Sequence, residues 1–161
     1  MQALSINFAG VVVERQSFLD GSRVFTIEGA DQPALGWRVS LTFRWPVASE
    51  AVDEGDLTLV LPDGGEIYGS LSGGTAAEIT DEMGEANAAR FDLDFTVTGG
   101  EGAYDSASGR LRMTGTIAGE GAASDGALEG EGVLMTVDMW LEGTPDLSRF
   151  RPAPTEREPA K

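Results

Sequence analysis

Apolar and polar residues alternate one for one along four stretches of the chain. Over 37–45, Trp37, Val39, Leu41, Phe43 and Trp45 fall on one face, and Arg38, Ser40, Thr42 and Arg44 on the other. Phe91, Leu93, Phe95 and Val97 likewise oppose Arg90, Asp92, Asp94 and Thr96. Leu111, Met113 and Ile117 oppose Arg110, Arg112, Thr114 and Thr116. In the last stretch Val133, Met135, Val137, Met139 and Leu141 oppose Thr136, Asp138 and Glu142, with Leu134 and Trp140 as exceptions on the polar face. A period of two is the signature of a strand, whose successive side chains point to opposite sides.

With turn signals placed between apolar runs, strands are predicted over 3–14, 22–28, 36–45, 56–61, 66–72, 88–98, 109–118 and 131–142. Asp20-Gly21 and Asp63-Gly64-Gly65 mark tight hairpins. Residues 46–55 and 73–87 read as longer connections, the second with a short helical turn over 76–83. No long amphipathic helix is visible. A sheet with one apolar face and no helix to cover it must pack on another sheet or close on itself. Closure also removes exposed edges. The fold class is therefore all-β, and a closed antiparallel barrel of about eight strands is preferred to a sandwich. The pattern stops after Glu142-Gly143, so residues 1–144 form the barrel domain, and residues 145–161, with Pro152, Pro154 and Pro159 among charges, a poorly ordered tail.

Composition narrows the chemistry. The 161 residues hold 27 acidic and 11 basic side chains, a net charge of −16 that repels nucleic acid and anionic membranes. There is no cysteine and no histidine, which removes thiolate nucleophiles, imidazole bases and the metal sites that depend on either. Glu78, Asp81, Glu82 and Glu85 lack the spacing of a calcium loop, so neither a metal nor a cofactor is expected. No apolar run reaches the length of a membrane span and no signal-like N-terminus is present, so a cytoplasmic location is expected.

The stretch from Phe95 to Gly109, with Gly99-Gly100-Glu101-Gly102, then Tyr104, then Ala107-Ser108-Gly109, resembles the glycine-rich hairpin of the allene oxide cyclase and dirigent barrel-like superfamily. The segments 55–69 and 135–143 are similar to that family's preceding hairpin and closing strand. The resemblance implies a calycin-like or allene oxide cyclase-like barrel, dimeric or trimeric. It also implies an apolar cavity in which a reactive hydrophobic small molecule cyclises or isomerises without a cofactor. No catalytic residue is carried over.

From the residues themselves, Phe8, Phe25, Trp37, Phe43, Trp45, Phe91, Phe95, Met113, Met135 and Met139 form the apolar set. They suit either a filled core or a pocket, in which Phe8, Trp37, Phe43, Phe91, Phe95, Met113, Met135 and Met139 would contact substrate. Tyr68, Tyr104 and Glu66 are the candidates for proton transfer, because they stand near strand ends where a barrel mouth would lie. Arg38, Arg44, Asp92, Asp94, Arg110 and Arg112 read as surface pairs or oligomer contacts. Two functions follow: a cofactor-independent cyclase or isomerase, and a non-catalytic ligand-binding or structural barrel.

Overall fold

A computed structural model of the chain describes residues 2–31, 35–46, 51–80, 86–118 and 132–150. Eight strands run in order β1 (Gln2–Ser17), β2 (Arg23–Asp31), β3 (Arg38–Trp45), β4 (Glu54–Val60), β5 (Glu66–Thr80), β6 (Ala86–Glu101), β7 (Ser108–Ala118) and β8 (Gly132–Glu142). Each pairs antiparallel with the next, and β1 also pairs with β8, so the sheet closes into the expected barrel. The alternation reads directly onto the two faces: along β3 and β8 every second residue is buried. Among the described residues no helix is long and apolar enough to cross a membrane.

The interior is one apolar cluster that runs from Leu4 on β1 to Leu141 on β8. An aromatic chain crosses it: Trp45 meets Phe25 at 6.1 Å between ring centres, Phe25 meets Phe43 at 5.5 Å, and Phe43 meets Phe91 at 5.7 Å. Such tilted contacts add to the area that each ring buries. Gly115 makes room for the last ring, since a Cβ there would stand 2.9 Å from the Phe91 Cζ. Both tight hairpins form, with Gly21 and Gly64 at φ of 90° and 89°.

Two expectations are corrected. Residues 73–80 are strand rather than connection or helical turn: β5 continues to Thr80, paired along its length with β6. Gly73, Gly74, Ala76 and Ala77 carry little pattern of their own, and pairing with the strongly alternating β6 decides their conformation. The rest of the suggested helical turn and the acidic residues Asp81, Glu82 and Glu85 lie outside the described residues.

Nor does the chain leave the barrel at Thr144. Leu147 is fully buried in the core, and Phe150 packs edge-on against Trp37 with ring centres 6.4 Å apart. The Trp37 indole N–H donates to the Phe150 carbonyl at 3.0 Å. The Gln2 side chain straps the same segment: its amide donates to Thr144 Oγ1 and to the Pro145 carbonyl, both at 2.8 Å, and accepts from the Leu147 N–H at 2.7 Å. Residues 143–150 therefore plug one mouth of the barrel.

Candidate functional site

All eight apolar candidates point inward. Trp37, Phe95, Met113 and Met139 are 0% exposed, and Phe8, Phe43, Phe91 and Met135 no more than 4%. A space large enough for a water molecule would register as accessible surface on its walls, so none adjoins the first four. Met135 is held closely as well: a Cβ on Gly29 would lie 3.0 Å from its Cε, and one on Gly115 3.1 Å from its Cγ.

The proton-transfer candidates occupy the plugged end but form two separate pairs. Tyr68 lies on the outer face of β5 and donates to Glu66 Oε1 at 2.7 Å. This bond to a carboxylate raises the Tyr68 phenol above its usual range, as do desolvation and the nearby Glu101. Tyr104 is buried and donates to Asp63 Oδ2 at 2.8 Å. Burial, followed by that bond, pushes it up to about 12. Asp63 is in turn held below its ordinary value, first by the Gly65 N–H and then by Tyr104 and Arg149. Both phenols are thus stabilised in their neutral form and engaged with a carboxylate, which describes fastening more than acid catalysis.

The glycine-rich hairpin is built as a connection. Glu101 leads into a single 3-10 turn, Gly102–Tyr104, which the Asp105 N–H closes on the Gly102 carbonyl. Gly109 has φ of 133° and lies so close to Trp140 that a Cβ would overlap its carbonyl oxygen. The glycines set a backbone path there, and no array of amides is aimed at an anion.

The open concavities lie on the outer face. A groove of about 720 Å³ crosses β5, β6, β7, β8 and β1. Cross-strand register makes it from two parallel rows. One row is Ala77, Arg90, Thr116 and Leu134; the other is Thr75, Asp92, Thr114, Thr136 and Asn7. Between them the floor is the strand backbone at Phe8, Phe91, Gly115 and Met135, where the Phe and Met side chains point into the barrel. A neighbouring groove of about 590 Å³ shares Thr75 and Asp92 and adds Asp94, Arg110, Arg112 and Trp140.

The charges within this face are unevenly paired. Arg112 grips Asp92 with two bonds, Nε to Oδ1 at 3.0 Å and Nη2 to Oδ2 at 2.6 Å, which holds the Asp92 carboxyl below its usual range. The same guanidinium also feels Asp94 and Asp138. Arg110 stacks on Trp140, 4.6 Å from the ring centre. Arg90 has Ala77 and Thr116 as its cross-strand partners, and its guanidinium makes no hydrogen bond or ion pair among the described residues.

The sequence did not single out Arg90, Thr116 or Asn7 as site residues. The available signal was Leu134 and Trp140, the two apolar residues on the polar face of β8, which mark the two grooves. No group of acidic side chains placed to hold a metal ion occurs among the described residues. No known protein family, curated protein or solved structure matches this chain.

Proposed function

We propose that this barrel is a non-catalytic binding protein, in which the packed interior is scaffold and the ligand is taken on the outer face, in the groove between Arg90 and Leu134. The observation that carries this reading is the filled interior: Trp37, Phe95, Met113 and Met139 have no exposure, and one mouth is plugged by Leu147 and Phe150. Rigid sheet positions present the groove residues at fixed spacing, which suits recognition.

A cofactor-independent cyclase is the second reading. It is favoured by the glycine-rich hairpin, whose turn and buried Tyr104 follow the order of the motif quoted above. Such an enzyme would work by positioning a substrate inside the barrel, and so needs interior space.

Met139→Trp separates the two. Its neighbours across the sheet are Leu4 and Leu111, both buried. In a packed interior the added volume forces neighbours off their rotamers, at about 1–3 kcal/mol. For a domain of this size that lowers Tm by roughly 2–4 °C per kcal/mol. Unchanged thermal stability, together with loss of a neutral apolar probe bound by the parent, would sink the surface-binding reading in favour of an interior pocket.

A further inference from the structure

The outer groove has a chemical polarity that specifies its ligand further, granted that the outer face is the binding face. Arg90 and Leu134 stand on one cross-strand row with Thr116 between them. Two strand spacings separate them, about 10 Å. At one end is a guanidinium with no counter-charge among the described residues. At the other is a leucine that is 65% exposed, the most exposed large apolar side chain of the described strands. The carboxylate nearest along the strand, Asp92, is already bound by Arg112 through two hydrogen bonds. In the adjacent row Thr136 donates to Asn7 Oδ1 at 2.8 Å, which leaves the Asn7 amide N–H groups to act as donors.

From this arrangement we infer that the groove binds a compact amphipathic anion: a carboxylate or sulfonate held by Arg90 and the Thr116 hydroxyl, on a ring-sized apolar body lying against Leu134. A guanidinium can pair two N–H groups with two oxygens of such an oxyanion. The net charge of −16 repels anions from the surface at large, so an anion that does bind depends on a local cation. The span between the two anchors suits one or two rings and is too short for an extended acyl chain.

The test uses the full chain and two fluorescent probes, 8-anilinonaphthalene-1-sulfonate and the neutral N-phenyl-1-naphthylamine. The parent protein should bind the sulfonate at one site, at least tenfold more tightly than the neutral probe. Arg90→Ala should weaken the sulfonate at least tenfold and leave the neutral probe unchanged, whereas Arg38→Ala, on the other side of the barrel, should alter neither. Leu134→Ser should weaken both. Both Arg90 and Leu134 are exposed, so thermal melts of the variants should overlay that of the parent. If Leu134→Ser weakens both probes while Arg90→Ala leaves the sulfonate untouched, the groove binds but the anion assignment is overturned. If neither substitution affects either probe, or no probe binds, the outer-face reading itself falls with it.

Discussion

Tyr104 is buried with its hydroxyl on Asp63, and the two groups titrate at opposite ends of the pH scale. The folded state raises the tyrosine to about 12 from an ordinary 10.0, chiefly by burial and then by the nearby carboxylate. A raised acid is favoured in its protonated form, so this contribution is intact below pH 10 and is lost as pH climbs towards 12. Asp63 is lowered, so its contribution is present above the ordinary carboxylate value and is lost as pH falls through the folded one. Tyr104→Phe should therefore cost about 1 kcal/mol near neutrality, the usual worth of one hydrogen bond whose acceptor can turn to water. The variant should also lose less stability than the parent between about pH 10 and 12, because one strongly shifted phenol is gone. Tyr68, raised by its bond to Glu66, remains in the variant, so the alkaline loss shrinks without vanishing. Denaturant melts of the two proteins at neutral and alkaline pH check this. An alkaline loss equal in both would mean that Tyr104 is not held as described.

Among the elements, the segment 143–150 does more than follow the last strand. It buries Leu147 completely, sets Phe150 against Trp37 and takes hydrogen bonds from Gln2 and Trp37. A fully buried leucine contributes about 1.5–3 kcal/mol in transfer terms, and its truncation to alanine typically costs 2–5 kcal/mol once the cavity is counted. Leu147→Ala should thus lower Tm by several degrees, and a chain ended after Thr144 by more, whereas one ended after Phe150 keeps the plug. A truncation at Thr144 without thermal effect would show that the mouth closes without it. The sequence disclosed β3, β6, β7 and β8 well because alternation runs through each, broken on the polar face of β8 only by Leu134 and Trp140 and on the apolar face of β7 by Gly115, and it placed both tight hairpins by their Asp-Gly steps. It could not disclose the plug, since two apolar residues among prolines and charges have no periodicity to read. The second half of β5 was hidden for a related reason, as its small residues take their conformation from the register with β6. The outer groove lay further still from view. Leu134 and Trp140 were visible as exceptions, but that Arg90 lacks a counter-charge while Arg112 has three carboxylates nearby emerges only when β5 to β8 are laid side by side.

For the whole molecule, charge is the force that the fold least resolves. A net −16 on 161 residues means that most carboxylates have no cation to meet. The surface pairs that do form are half-exposed, Arg112 with Asp92 at 50% and 41% and Arg44 with Asp20 at 31% and 61%, so water and salt screen them. Two effects then compete when salt is added. Screening weakens the few attractive pairs, and it relieves the repulsion among a much larger number of like charges, which disfavours the compact state more than the expanded one. The second effect is the larger because it sums over the whole surface while each pair is local and already wet. Raising sodium chloride from about 10 to 150 mM shortens the screening length from roughly 30 Å to 8 Å, from the width of a small domain to the reach of neighbouring side chains. Over that interval Tm should rise, and most of the rise should come below 150 mM, before the salt itself strengthens apolar burial. Thermal melts across the series at pH 7 measure this directly. A Tm that falls with salt would mean that the arginine pairs on β3 and β7 outweigh the repulsion, and that the acidic surface is held together rather than pushed apart by its charges.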